Sequence, residues 1–242
     1  MATVESSAAR PASATTVATV PGLHAGDRLT RPEFERRYSA MPNVKKAELI
    51  EGIVHMPSPV SHEDHGRPHA MLTTWLGNYC YATPGTDVGD NSTVRLDWEN
   101  EPQPDLMLRI LPERGGQSRN EDKYVAGATE LVAEVAASSV SYDLHEKLRA
   151  YQRNGVREYL VWRVLDAVVD WFTFRDGRFE QLPLTAQAHY HSAVFPGLWL
   201  DPAALLRGDF AQVMAVLQQG LASPEHAQFV ARLEKVQSQK DV

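Results

Sequence analysis

Residues 129–164, TELVAEVAASSVSYDLHEKLRAYQRNGVREYLVWRV, contain the pattern that decides the fold. The segment 129–136 has almost no polar residues, which is typical of a strand covered on both faces. Residues 141–156 have helical spacing and end at Asn154-Gly155, a frequent helix C-terminus. Residues 157–174 then predict two strands joined at Leu165-Asp166. A helix between continuously apolar strands predicts a mixed α/β fold.

The flanking sequence predicts the remaining elements and the organisation of the chain. Thr30 and Glu33 form a candidate capping box for a helix over 31–39. The other expected elements are a hairpin or bent strand at 45–56, a helix at 61–82, an extended segment at 86–98, a strand at 104–110, a loop at 115–124, and helices at about 208–220 and 225–237. We therefore predict a disordered leader (1–25), one domain (26–206) and a C-terminal helical extension (207–242).

Composition limits the class of protein and its surroundings. The 242 residues include 24 basic and 31 acidic side chains, giving a net charge of -7. This balance argues against non-specific coating of nucleic acid, although it permits a local basic cleft. Cys80 is the single cysteine, which favours a reducing, cytoplasmic location. No segment reaches the roughly 18 apolar residues of a membrane span, so we expect no membrane partner.

Two acidic residues stand in apolar surroundings. Glu134 lies within the apolar strand, and Asp105 follows Pro104 at the start of another strand. Lys147 lies at the edge of the apolar face of the helix at 141–156. Two carboxylates can hold Mg²⁺ while a lysine orients water or neutralises charge, as in a metal-dependent phosphodiesterase. The alternative is that these acids form structural ion pairs with lysine or arginine.

Five motifs occur in order along most of the chain: ELIEGIVHMPSPVSHEDHG (48–66), EPQPDLML (101–108), ELVAEVAASS (130–139), DLHEKLRAYQRNGVREYLVW (143–162) and FPGLWLDPAALL (195–206). Together they resemble the Uma-two family of restriction-endonuclease-like proteins. The resemblance implies the PD-(D/E)XK nuclease fold, a restriction-endonuclease-like mixed β-sheet flanked by α-helices. It also implies that Asp105 and Glu134 are the metal-binding and catalytic acids, and that Glu51 completes the metal site. Ala136 stands where that pattern has lysine, so the resemblance assigns the lysine's catalytic role to Lys147.

These observations favour a divalent-metal-dependent endonuclease acting on DNA, with Mg²⁺ or Mn²⁺ as cofactor. A second hypothesis is a nuclease-fold protein that no longer cuts and serves as a binding or assembly module. A third is a zinc-bound structural protein, because His62, His65 and His69 have the spacing of one helical face. Nuclease-fold proteins often dimerise so that two sites meet two strands, which makes a homodimer an expectation here. A positive rim near the site is a further hypothesis, formed by Arg95, Lys123, Arg149, Arg153 and Arg157. For each of these residues singly, an ordinary solvated charge is the more common case.

Overall fold

Helices and short strands surround one six-stranded sheet in this computed structural model, which describes residues 20–56 and 59–240. The helices are α1 (Arg31–Ser39), α2 (Arg67–Ala82), α3 (Val140–Tyr142), α4 (Leu148–Asn154), α5 (Pro202–Leu206), α6 (Phe210–Leu221) and α7 (Pro224–Lys240). The strands are β1 (Glu48–Ile50), β2 (Ile53–His55), β3 (Thr86–Asp90), β4 (Val94–Arg95), β5 (Leu106–Ile110), β6 (Arg119–Glu121), β7 (Tyr124–Ala126), β8 (Leu131–Ala136), β9 (Glu158–Arg163), β10 (Val168–Arg175), β11 (Arg178–Gln181), β12 (Tyr190–His191) and β13 (Trp199–Leu200).

The central sheet is mixed. Its strand order is β11–β10–β9–β8–β5–β3. Strands β8 and β9 run parallel, whereas the other neighbouring pairs run antiparallel. The parallel pair needs a crossover, which the helical segment between β8 and β9 provides. The predicted fold class, a mixed sheet flanked by helices, is therefore confirmed.

Strand β8 divides the interior into two cores because its side chains alternate between the faces of the sheet. Leu131 and Val135 belong to the larger core, to which α2, α6 and α7 contribute. Val132 and Ala136 belong to the smaller core beneath α4. Glu134 shares the second face, so the fold places an acid between the sheet and the crossover helix.

The crossover helix is built from three consecutive helical segments. Helix α3 leads into a π-helical turn, Asp143–Lys147, which continues into α4. Gly155 ends α4 in the left-handed conformation, with φ 78°, and its amide hydrogen bonds to the last turn. The predicted helix and its C-terminus are thus confirmed, and the segment turns Asp143 and Lys147 into the interior.

The apolar runs at 45–56 form the hairpin β1–β2. Its turn residues, Glu51 and Gly52, have φ values of 51° and 74°. Positive φ at both positions is the requirement of a type I′ turn, whose twist matches that of the paired strands. Of the two forms that the sequence left open, the hairpin is therefore the correct one.

Two local predictions were wrong. The Thr30 side chain makes no capping hydrogen bond, and the Glu33 carboxylate pairs with Arg36 and Arg37 at 2.7 Å each. The predicted loop at 115–124 contains β6, which pairs with β7 beside β4 in a small three-stranded sheet. Strand β6 is Arg-Asn-Glu and has no alternating apolar residues, so hydrophobic periodicity could not reveal it.

The described residues near both ends of the chain pack against the domain. Residues 1–19 of the predicted leader lie outside the described residues, while Leu23 is buried beside the hairpin. Helices α6 and α7 pack into the larger core through Val213 and Phe229. The division into leader, domain and extension remains a prediction. Among residues 20–56 and 59–240, no helix has the length and apolarity that crossing a membrane requires.

Candidate active site

Asp105 and Glu134 lie opposite each other on neighbouring strands. The register pairs Leu106 with Ala133, so the next pair along is Asp105 and Glu134. The Asp105 amide donates a hydrogen bond to Glu134 Oε2 over 3.3 Å. Both side chains are buried, with residue exposures of 4% and 2%. The structure therefore brings the two predicted acids together.

Lys147 joins these acids from the crossover helix. Its Nζ lies 2.8 Å from Glu134 Oε1, 3.1 Å from Glu48 Oε1 and 3.7 Å from Asp143 Oδ1. Only 3% of the residue is exposed. Burial would lower the pKa of Lys147, but the surrounding carboxylates outweigh burial and raise it well above the ordinary value. Lys147 is therefore a permanent buried cation among three carboxyl groups.

Glu48, and not Glu51, is the hairpin acid that reaches this cluster. Glu48 lies in β1, where it also accepts a hydrogen bond from the Gln103 amide over 2.7 Å. Glu51 lies in the turn and pairs with Arg149 at 2.9 Å and Arg153 at 3.6 Å. Those two arginines account for every ion pair that Glu51 makes within the described part of the chain. The tight turn therefore places Glu51 with the arginines of α4 and not with Asp105 and Glu134, and its role as a metal ligand stays a prediction.

Asp105 is held as a carboxylate by donors on several sides. Its Oδ2 accepts from the Val135 amide at 2.9 Å and contacts His65 Nε2 at 3.1 Å. Lys46 Nζ lies 3.5 Å from Oδ1. Burial would raise the pKa of Asp105, but His65, Lys46 and the Val135 amide hold it well below its usual range. Because 25% of the Lys46 side chain is exposed, this lysine faces Asp105 from the solvent side.

Glu134 has the opposite electrostatic character. Burial and the neighbouring carboxylates raise the pKa of Glu134 to about 8, and Lys147 only partly offsets them. The Tyr151 hydroxyl donates to Glu134 Oε1 over 3.0 Å. Burial also raises the pKa of Asp143, whose Oδ2 accepts from Ser139 Oγ over 2.6 Å. The cluster thus has more carboxyl groups than cations, and it favours taking up protons or a further cation.

The cluster offers the oxygen ligands that Mg²⁺ and Mn²⁺ prefer. Asp105, Glu134 and Glu48 supply carboxylate oxygens of that type. Within residues 20–56 and 59–240, no three His, Cys, Asp or Glu side chains already converge in ligand geometry. Lys147 Nζ, in contact with Glu134 and Glu48, holds two of these carboxylates instead. An ion would therefore require some rearrangement of the carboxylates around Lys147.

The three histidines do not act as one group. His62 is exposed in a π-helical turn, His62–Gly66, that precedes α2. His65 and His69 stack with ring centroids 5.7 Å apart. His65 contacts the Asp105 carboxylate. His69 Nε2 lies 2.9 Å from Asp90 Oδ1 and 3.3 Å from the Asp105 carbonyl oxygen. This arrangement gives the zinc hypothesis no support and makes His65 a part of the acidic site.

Most side chains of the predicted positive rim already form ion pairs or hydrogen bonds with other protein groups. Arg149 and Arg153 pair with Glu51, and Arg95 lies 2.9 Å from Glu35. Arg157 donates to Gln117 Oε1 over 3.0 Å. Lys123 differs, because its closest described partner is the ring of the adjacent Tyr124, 5.6 Å from Nζ. These side chains therefore do not form a continuous free basic surface.

Sequence reasoning missed Glu48 and Lys46, and it assigned His65 to the candidate zinc face instead of to this site. Glu48 carried the same signal as Glu134, an acid next to strand residues that are all apolar. The contacts of Lys46 and His65 with Asp105 span 59 and 40 residues of chain, so no local pattern indicates them.

Comparisons with known proteins identify the family to which the chain is related. Residues 31–203 match the family described as "Uma2: Putative restriction endonuclease". A similar solved structure is described as "Crystal structure of a putative nuclease belonging to DUF820 from Anabaena variabilis ATCC 29413". It has 13% identity and a TM-score of 0.48, over 71% of this chain and 97% of that chain. No curated protein matches. The family match includes Asp105, Glu134 and Lys147.

Proposed function

Because this chain belongs to the Uma2 family, we propose that it is a divalent-metal-dependent endonuclease that hydrolyses phosphodiester bonds in DNA. One observation carries the proposal. Three buried carboxyl groups, those of Glu134, Glu48 and Asp143, surround the buried amine of Lys147, and the buried carboxyl group of Asp105 lies beside Glu134. An excess of buried acid is costly unless it is neutralised by protons or by a cation.

The carboxylates have separate roles in this proposal. Asp105 and Glu134 would hold Mg²⁺ or Mn²⁺, with Glu48 as the third ligand. When bound, such an ion supplies charge to polarise a phosphate oxygen and to activate water. His65 and the Val135 amide orient Asp105, while Tyr151 orients Glu134.

The two lysines differ in what they can reach. Lys147 is enclosed by Glu134, Glu48 and Asp143, so we assign it the task of fixing these carboxylates around the reacting centre. Lys46 is partly exposed beside Asp105 and can donate to a phosphate oxygen that approaches from solvent. In the hydrolysis, water adds to phosphorus and the bond from phosphorus to the leaving sugar oxygen breaks. The products are a phosphomonoester and a hydroxyl group, and charge that develops on the phosphate would be stabilised by Lys46.

Cleavage of supercoiled plasmid and of a single-stranded oligonucleotide tests the proposal. Wild type is expected to nick DNA with Mg²⁺ or Mn²⁺ and not with EDTA, and Glu134→Gln is expected to lose this activity. Glu130→Gln is the matched control, because Glu130 is buried on the same face but binds the amides of Ile110 and Gln117 at 2.9 Å. Equal cleavage by Glu134→Gln and wild type would disprove the site assignment.

The second candidate is a binding or assembly module of the same fold. It is favoured by the contact of Lys147 with the carboxylates that would otherwise receive a metal. Specific DNA binding without cleavage under Mg²⁺, Mn²⁺ or EDTA would select this candidate. The nuclease proposal also includes a homodimer, which sedimentation would test. It further includes a cytoplasmic location, which suits the free thiol of Cys80.

A further inference from the structure

A cleft of about 550 Å³ lies beside the acidic cluster. Gly89 of β3 and Met107 and Arg109 of β5 line one part of it, and Lys123 and Tyr124 at the β6–β7 turn line another. Cross-strand pairing of Gly89 with Met107 places both on the face of the sheet that carries Asp105. The nuclease proposal assigns no role to this cleft.

Arg109 is a buried cation whose hydrogen bonding is incomplete. Only 5% of the residue is exposed. Its Nε and Nη2 donate to Asp87 Oδ2 at 3.0 and 2.8 Å, whereas Nη1 has no hydrogen-bond partner. A buried charged donor without an acceptor is unfavourable. A ligand with an anionic oxygen would satisfy Nη1, and guanidinium is well suited to phosphate.

Lys123 supplies a second cation to the cleft lining. Its side chain is exposed and makes no ion pair within residues 20–56 and 59–240. The two acids of the cleft are already engaged, Asp87 by Arg109 and Asp122 by Arg95 at 3.4 Å. The cleft therefore combines an unused guanidinium donor with an unpaired ammonium group.

The cleft continues directly from the acidic cluster. Asn91 lines it, donates its amide to the Asp105 carbonyl at 3.0 Å, and accepts from Lys46 at 3.1 Å. One face of the sheet carries Asp105, Met107 and Arg109, because every second side chain along β5 points to the same side. From Asp105 to Arg109 the extended chain covers about 13 Å. Four steps along the axis of a DNA helix, at about 3.4 Å each, cover a similar distance.

We propose that this cleft binds a phosphate group of the DNA strand that is cut, a few nucleotides from the scissile bond. Arg109 Nη1 and Lys123 Nζ are the donors. The inference rests on the proposed function for its ligand, and it concerns residues that are separate from the carboxylate cluster.

Binding of a fluorescein-labelled single-stranded oligonucleotide, measured by anisotropy in EDTA over a series of salt concentrations, tests the inference. Removing one phosphate contact lowers the magnitude of the slope of log affinity against log salt by about 0.7. Lys123→Ala is expected to show this loss and to bind more weakly. Arg119→Ala is the matched control, because Arg119 is an exposed cation of β6 that pairs with Glu121 at 2.6 Å and does not line the cleft. It is expected to keep the wild-type slope.

Arg109→Lys tests the buried donor, since it keeps the charge and removes the planar fork. Weaker binding is the expected result, and the melting temperature of the variant, measured in parallel, identifies any loss that comes from reduced stability. The inference is overturned if Lys123→Ala and Arg119→Ala have the same slope, or if wild type does not bind the oligonucleotide. Because these assays contain no metal, they separate this inference from cleavage. If Lys123→Ala lowers the salt slope but wild type cleaves no DNA, the phosphate-binding role of the cleft is supported and the nuclease proposal is rejected.

Discussion

Replacing Lys147 by methionine tests the electrostatics of the acidic cluster. Methionine fills similar space but removes the ammonium group that lies 2.8 Å from Glu134 and 3.1 Å from Glu48. Removal of one partner from a buried ion pair typically costs about 3–5 kcal/mol. We therefore expect the free energy of unfolding to fall by roughly that amount at pH 8, measured by urea denaturation.

The loss should be smaller at pH 5. Lys147 lowers the pKa of Glu134 and of Asp143, so both pKa values rise when the lysine is removed. The folded variant then binds protons in a pH range where the unfolded chain has released them, and its stability decreases as pH rises through that range. Lys46→Met is the control, because Lys46 is partly exposed and should contribute at most about 1 kcal/mol. A cost for Lys147→Met below that of Lys46→Met, or an equal cost at both pH values, would refute the reasoning.

Magnesium adds a third measurement to the same variant. If the carboxylates bind a divalent ion, that ion replaces the missing positive charge in Lys147→Met. At about 100 times the dissociation constant, a ligand specific to the folded state stabilises it by about 2.7 kcal/mol. Mg²⁺ should therefore stabilise Lys147→Met more than wild type. The metal proposal for these carboxylates would be contradicted by equal stabilisation of the two proteins.

Three further predictions follow from individual residues. In plasmid cleavage, Glu48→Gln should reduce metal-dependent activity at least tenfold while Glu51→Gln leaves it unchanged. The reason is that, of these two glutamates, only Glu48 contacts Lys147. The reverse order would support Glu51 as the metal ligand. Burial and the neighbouring carboxylate of α1 raise the pKa of Glu101 to about 9. The folded state therefore holds an extra proton between pH 4.5 and 9, and its stability should fall across that window by up to about 1.4 kcal/mol per pH unit. Glu101→Gln mimics the protonated acid, so its thermal denaturation should show a flatter pH dependence; an unchanged pH dependence would contradict this. Finally, Gly155→Ala should destabilise the protein by about 1–2 kcal/mol, because Gly155 has a positive φ. Gly77→Ala should stabilise it slightly, because Gly77 lies within α2 and a Cβ there would meet no atom within 4 Å. Equal shifts in melting temperature would be evidence against the role of Gly155 in ending α4.

Local patterns in the sequence determined the elements around the site. The apolar run 131–136 specifies a strand covered on both faces, and Asn154-Gly155 specifies the end of the crossover helix. The same apolar run makes Glu134 conspicuous, because a carboxyl group in such a strand must be compensated. Asp105 was identified by its position after Pro104 and by the family resemblance. The predictions of the strand and of the helix end are confirmed, because strand burial and helix termination depend on residues close together in the chain.

Only the tertiary structure decided which groups surround the two acids. The turn at Glu51-Gly52 directs Glu51 to the arginines of α4 and leaves Glu48 in contact with Lys147, although only two residues lie between the two glutamates. Lys46 and His65 reach Asp105 from distant parts of the chain. The spare donor of Arg109 likewise depends on its burial at the cleft. Ion pairing and burial are set by distances in space, whereas the sequence specifies mainly the local conformation that precedes them.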